Sequence, residues 1–188
     1  MKNPSGVTFS TGLCDSHLGY AVWPQQESDT RIMTSKLLFV CLGNICRSPS
    51  AENIMNLLIR KHELEGKIVC DSAGTGGWHV GNPPDARMTA AALKKLGMNL
   101  EGSARQFHPS DFEAFDLILA MDQENYANIL RLAPQGQYDH KVKLMCSYCR
   151  NYPDRDVPDP YYGGADGFNY VIDLLMDACE GLLEDVQA

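Results

Sequence analysis

The stretch Leu37-Leu38-Phe39-Val40-Cys41-Leu42-Gly43-Asn44-Ile45-Cys46-Arg47-Ser48-Pro49-Ser50-Ala51-Glu52 constrains the fold more than any other part of the chain. Four apolar residues in a row suit a strand covered on both faces, as in a parallel sheet. Ser48 followed by Pro49 predicts a helix start with Ser48 as the cap. A capping hydroxyl accepts an orphan backbone N–H, and proline in the first turn loses nothing because its N–H would be unpaired anyway. Between strand and helix lies a tight loop that starts at Cys41 and ends at Arg47. Gly43 and Asn44 let it turn sharply, since both tolerate left-handed backbone geometry.

A loop that opens a helix gathers N–H groups, and the helix dipole adds partial positive charge, which together make an anion site. Arg47 adds a planar, permanently charged fork suited to phosphate oxygens. The same field favours the thiolate of a cysteine beside it. One loop can therefore hold a phosphate-like dianion and aim a sulfur nucleophile at its centre, the chemistry of a cysteine-dependent phosphatase. Spacing alone does not carry this reading. With seven cysteines in 188 residues, roughly 0.3 pairs of Cys and Arg six apart are expected by chance. Cys149 and Arg155 form such a pair, but they follow no apolar strand. Their loop has no glycine and contains Asp154, which repels anions, and Pro153, which lacks an N–H.

The rest of the chain reads as an α/β domain. Helices are expected at residues 50–62, 85–96, 122–132 and 168–184, and strands at 67–70, 115–120 and 142–145. Their alternation implies a four-stranded parallel sheet, doubly wound, with helices on both faces. Ala90, Ala91, Leu93 and Leu96 are expected to form the buried face of the second helix; Val171, Leu175, Cys179 and Leu182 that of the last. The loop at residues 71–77 falls at a strand's carboxyl end, where open α/β sheets bind ligands. A net charge of −8 without a basic cluster argues against nucleic acid or an anionic membrane as partner. An odd cysteine count and no export signal indicate a reducing, cytoplasmic setting. Residues 1–32 lack periodicity and a signal-peptide core. They are expected to be a disordered or non-native extension before a domain at 33–188, with Met33 as an alternative start and Cys14 and His17 inert.

A leaving phenoxide or alkoxide needs a proton, and the Pro-rich loop at 154–164 offers Asp154, Asp156 and Asp159. Prolines hold such a loop with little entropy to lose, which helps aim a carboxylic acid. The residues alone leave all three eligible. Trp78, in a glycine-rich loop, reads as either core or pocket wall, and His108 as a surface histidine. Cys146-Ser147-Tyr148-Cys149 is a lone C-x-x-C with no second ligand pair for zinc, and reads as incidental.

Cys-Leu-Gly-Asn-Ile-Cys-Arg-Ser-Pro at residues 41–49 resembles the signature of the low-molecular-weight protein tyrosine phosphatases. The resemblance continues through Asp71-Ser72-Ala73-Gly74-Thr75, Trp78, Pro84-Asp85-Ala86-Arg87, Ala104-Arg105-Gln106, Met121-Asp122 and Asp159-Pro160-Tyr161-Tyr162, and runs from about Ser35 to the C-terminus. It implies a flavodoxin-like sheet and hydrolysis of phosphotyrosine in proteins through a phosphocysteine intermediate, with no metal or cofactor. Cys41 would be the nucleophile and Asp159 the general acid and base. Arg47 and the N–H groups of Leu42, Gly43, Asn44, Ile45 and Cys46 would hold the phosphate. Ser48 would donate to the Cys41 sulfur, and Ser72 would brace Asn44. Trp78, Tyr161 and Tyr162 would line the entrance, and a monomer is expected. Cys46 would form a disulfide with Cys41 under oxidant. The chain departs from the family where a histidine often stands two or three residues before Arg105, with Gly102 and Ser103 there instead.

Three other readings share these residues. An arsenate reductase on the same fold would use a cysteine relay, and the Asp-Pro-Tyr-Tyr loop argues against it. Phosphoarginine phosphatases resemble this loop but carry Thr where Ile45 stands. An idle phosphotyrosine-binding module would have lost Cys41, Arg47 or Asp159, and all three are present.

Overall fold

Alternation along the first strand decides how the domain is layered. In the computed structural model, β1 (Ser35–Cys41) sends Leu37, Phe39 and Cys41 into one apolar cluster and Leu38 and Val40 into another. That is the period-two pattern of a strand buried on both faces. The structure describes residues 34–133, 136–161 and 164–188; the expected extension at 1–32 lies outside them.

β1 pairs in parallel with β2 (Ile68–Gly74) on one side and β3 (Leu117–Ala120) on the other. β4 (Val142–Leu144) completes the order β2-β1-β3-β4. On one face α1 (Arg47–Lys61) and α5 (Ala165–Gln187) cover the larger cluster, with α2 (Ala86–Leu96) packed on α5. On the other face Phe112 of the short α3 (Asp111–Ala114) and Ile129 of α4 (Gln123–Leu132) close the smaller one. This is the doubly wound architecture expected. Strand order reverses at β1, whose neighbours are β2 and β3, and ligands of such sheets bind outside the strand ends at that switch point.

Several boundaries differ from the sequence reading, each for a local reason. α1 begins at Arg47 behind Cys46, so Ser48 lies inside the first turn and is not the cap. Its hydroxyl is committed to Cys41 and Asn44 instead. Pro49 is tolerated there because the first four helical N–H groups have no intrahelical acceptor. β2 continues to Gly74, four residues past the expected end, because Asp71 to Gly74 stay in register with Leu38 to Cys41. In α2 the buried residues are Met88, Ala91 and Ala92, and Leu93 is 51 % exposed. Two alanines allow α2 to approach α5 closely, which turns Leu93 outward. Asp85 and Asp122, at the expected helix starts, cap their helices from outside: Asp85 accepts from the Arg87 N–H, Asp122 accepts from the Asn125 N–H at 2.6 Å, and Gly97 closes α2 at φ 69°. α5 is longer than expected at both ends, and Val171, Leu175, Cys179 and Leu182 are all buried in it. Among the described residues no helix is long and apolar enough to cross a membrane.

Candidate active site

Cys41 ends β1 at the switch point, and the five residues after it turn back to start α1. Asn44 sits at φ 55°, the left-handed region that Asn adopts at little cost. Three loop carbonyls are held from outside: Cys41 O by the Thr75 N–H at 2.8 Å, Leu42 O by Gly76 at 2.9 Å, and Ile45 O by Asp85 at 2.7 Å. Gly74 makes that bracing possible, because a Cβ there would stand 2.8 Å from Leu42 O.

The Cys41 sulfur lies 3.0 Å from Ser48 Oγ and accepts from the Asn44 N–H at 3.2 Å. Both contacts stabilise negative charge on sulfur. Asn44 is itself buried and fully used. Its Nδ2 donates to Ser48 Oγ and to Ser72 Oγ, each at 2.9 Å, and its Oδ1 accepts from the Arg105 N–H at 2.8 Å. Ser72 donates onward to Glu52 Oε2 at 2.6 Å. The expected Ser72–Asn44 brace is therefore present. The missing histidine is matched by a different arrangement, in which the Arg105 backbone holds Asn44 while Gly102 and Ser103 stay exposed. Burial pushes the Glu52 carboxyl above the usual range, and Asp71 adds to the shift against Ser72 and Arg105.

Arg47 is only 3 % exposed, yet its guanidinium is paired three ways. Nη1 donates to Asp122 Oδ2 at 2.5 Å and to Val157 O at 3.1 Å, and Nη2 donates to Asp159 Oδ2 at 2.9 Å. Burial opposes its charge, but Cys41, Asp159 and Asp122 together outweigh that and raise its pKa. A buried guanidinium held by a carboxylate and a carbonyl is fixed in direction. Asp122 was legible in the sequence as the start of a helix. That its second oxygen would aim Arg47 was not, because the pairing spans 75 residues.

These groups surround one cavity of about 350 Å³. Cys41, Cys46 and Arg47 line it together with Leu42, Gly43 and Ile45; Trp78, His79, Asp159 and Tyr161 complete its lining. Trp78 is 74 % exposed, so it is pocket wall and not core. Arg87 bonds Tyr161 O at 3.0 Å and lies 5.0 Å from the Tyr161 ring centroid. Tyr162 lies outside the described residues. His79 was not foreseen: its ring packs on Gly43, where a Cβ would come within 3.1 Å of Cδ2. Of the other two acidic candidates, Asp154 accepts from Tyr170 Oη and Asp156 from the Gln123 N–H, so both are structural partners away from the cavity. His108 is exposed and bonded to Ser110. Cys46 is buried, and burial followed by the charges of Asp85, Cys41 and Asp159 pushes its thiol up to about 12. Among the described residues no group of three or more His, Cys, Asp or Glu is gathered to hold a metal.

A thiol and a guanidinium on one strand–loop–helix turn, facing a carboxyl from a distant loop, define a class of cysteine-based phosphatases. Comparison with known proteins narrows this. Residues 36–188 match the model of the low molecular weight phosphotyrosine protein phosphatase family. A putative low molecular weight protein-tyrosine-phosphatase of Synechocystis is 65 % identical over 148 residues, 79 % of this chain and 94 % of the relative. A Bacillus subtilis low molecular weight protein-tyrosine-phosphatase is 46 % identical over 152 residues, covering 80 % of this chain and 95 % of the relative. The solved structure of an Entamoeba histolytica protein tyrosine phosphatase superposes with a TM-score of 0.78 at 47 % identity, covering 82 % of this chain and 97 % of that one. The chain belongs to the low molecular weight phosphotyrosine protein phosphatase family, and is a phosphatase of that kind. The resemblance read in the motifs is thereby established, and the arsenate-reductase, phosphoarginine and binding-module readings are not favoured.

Proposed function

We propose that the protein hydrolyses phosphotyrosine in protein substrates, with Cys41, Arg47 and Asp159 as its catalytic residues. The observation that carries this is one cavity in which a hydrogen-bonded sulfur, a buried guanidinium and an acid-loop carboxyl converge. The Cys41 thiolate attacks phosphorus in line with the departing tyrosyl oxygen. The loop N–H groups and Arg47 hold the equatorial oxygens, where charge is spread in the transition state. Asp122 and Val157 O keep Nη1, so the phosphate takes over the guanidinium face now given to Asp159. That exchange frees the Asp159 carboxyl to protonate the leaving oxygen, and later to take a proton from the water that hydrolyses phosphocysteine. Ser48 donates to sulfur and so eases its departure as thiolate.

Trp78 and Tyr161 give the cavity aromatic walls, and a phenyl ring against them gains roughly 0.5–1.5 kcal/mol beyond area burial. Phosphoserine is too short to reach the thiolate past such walls. The free cysteines and the acidic net charge suit a cytoplasmic monomer acting on protein substrates. Phosphate release from matched phosphotyrosine, phosphoserine and phosphoarginine peptides tests the reading. Turnover confined to phosphotyrosine is expected, and faster release from phosphoarginine or none from phosphotyrosine would overturn it.

A further inference from the structure

Cys146 and Cys149, incidental by sequence, are brought together by the fold. Cys146 lies in a 3₁₀ turn, Met145–Tyr148, directly after β4, and the Cys149 N–H donates to Cys146 O at 3.2 Å. A turn closed in this way keeps the two Cα atoms within about 7 Å. A disulfide needs about 4.4–6.8 Å.

The surroundings hold this geometry in place. The Tyr148 carbonyl packs on Gly181 of α5, where a Cβ would stand 2.1 Å from the oxygen. The next two residues are tied to the same helix. The N–H groups of Arg150 and Asn151 donate to Asp177 Oδ2 at 2.8 and 3.1 Å, and Arg150 Nη1 bonds Glu184 at 2.7 Å. The turn is therefore anchored to α5 on one side and to the paired strand β4 on the other, and little conformational freedom remains to be lost on joining the two sulfurs.

The two cysteines are also unequal. Cys149 is part-exposed, and the Cys146 thiol supports its ionised form, which lowers its pKa despite burial and nearby Asp177 and Asp154. Cys146 is buried and shifts upward, through neighbouring Cys149 and through burial. Nucleophilic sulfur on the accessible side and a protonated thiol behind it are the arrangement of an attacking and a resolving cysteine. Asp154, Asp156 and Asp177 make the approach acidic, which disfavours anionic oxidants and leaves a neutral hydroperoxide as the fitting one. Zinc is not an alternative occupant, since no third ligand joins the pair among the described residues.

We propose that Cys146 and Cys149 form a second redox site, separate from the catalytic loop, closed to a disulfide by a hydroperoxide and reopened by a dithiol. With hydrogen peroxide, the Cys149 thiolate attacks one oxygen, forming S–O as O–O breaks, and hydroxide leaves and takes up the proton that Cys149 gave up. Cys146 then attacks the sulfenic sulfur, S–S forms as S–O breaks, and its proton leaves with the oxygen as water. Two thiols are oxidised, and one peroxide is reduced to two waters. A dithiol reverses this by exchange and is itself oxidised to its disulfide. The site opens the segment that carries Asp159. Val157 in that segment is bonded to Met121 and Arg47.

Trypsin cleaves after Lys143 and Arg150, so one peptide of residues 144–150 contains both thiols. After hydrogen peroxide treatment and alkylation of the folded, full-length protein, that peptide is expected to be about 2 Da lighter than its dithiol form and unalkylated, and dithiothreitol should restore it. In Cys146→Ser, Cys149 should accumulate as sulfenic or sulfinic acid, and in Cys149→Ser the peptide should remain a thiol. A wild-type peptide that stays doubly alkylatable at doses that oxidise Cys41 would overturn the proposal. So would over-oxidation of Cys149 in wild type without passage through the disulfide.

Discussion

Ser48 shows how much one side chain can carry in this site. Its hydroxyl has one proton to donate, and it lies 3.0 Å from the Cys41 sulfur and 3.3 Å from Ala73 O while accepting from Asn44. When Cys41 is ionised, the charged acceptor wins the proton. A hydrogen bond to a charged group contributes about 1.5–3 kcal/mol, so Ser48→Ala is expected to lower kcat by roughly ten- to a hundredfold. KM should change little if the loss falls on thiolate departure. Steady-state kinetics on a phosphotyrosine peptide check this, and an unchanged kcat would remove Ser48 from the mechanism. Asn44 separates backbone from side chain. Asn44→Gly keeps the φ 55° geometry but loses three side-chain hydrogen bonds, whereas Asn44→Ala loses both. The alanine variant should be the less stable by about 1–2 kcal/mol, the cost of left-handed backbone with a Cβ, measured by urea denaturation. Residue positions were legible wherever the local chain decides them, as for Cys41 and Gly43 in the loop and for the helix starts at Asp85 and Asp122. They were not legible where distant segments meet. Glu52, Asp122 as the Arg47 anchor and Arg105 as the substitute support for Asn44 all depend on contacts 20 or more residues apart.

Among the elements, α5 does more than cover the sheet. It anchors the turn after β4 through Gly181 and Asp177, and it packs on α1, whose N-terminus borders the candidate active site. Gly181→Ala would drive a methyl group into the Tyr148 carbonyl, and backbone on both sides cannot yield cheaply. Such overpacking costs about 1–3 kcal/mol, seen as a lower urea midpoint with an unchanged slope. An unchanged midpoint would show that the turn does not rest on α5. The sequence placed every long helix and strand because their apolar periodicity is strong. It placed Ala91 and Leu96 correctly on the α2 face but also Ala90 and Leu93, which are exposed, where Met88 and Ala92 are buried instead. It ended β2 too early because Asp71 and Ser72 look like turn residues, although pairing with β1 keeps them extended.

Across the whole molecule, two thiols, Cys46 and Cys70, link stability to pH. Burial, then Asp85, Cys41 and Asp159, push Cys46 up to about 12; burial, then Glu52 and Asp71, push Cys70 to about 12 as well. Both are ordinary thiols, near 9.0, once unfolded. Between those values the unfolded chain has lost protons that the folded chain retains, so stability falls as pH rises from about 9 to about 12. The melting temperature should decline over that window, and less steeply in Cys70→Ala. An equal decline in the variant would remove Cys70 as a contributor. Under oxidant, activity lost through Cys41–Cys46 pairing should return with dithiothreitol, and irreversible loss would count against a protective role for Cys46. The most direct test of the account is to trap the intermediate. Rapid denaturing quench during turnover of a phosphotyrosine substrate, followed by mass analysis, should show a transient gain of about 80 Da for a phosphoryl group on the peptide of residues 37–47. The gain should persist in Cys46→Ser and vanish in Cys41→Ser. Full turnover with no adduct at any time, or an adduct that survives in Cys41→Ser, would contradict nucleophilic catalysis by Cys41.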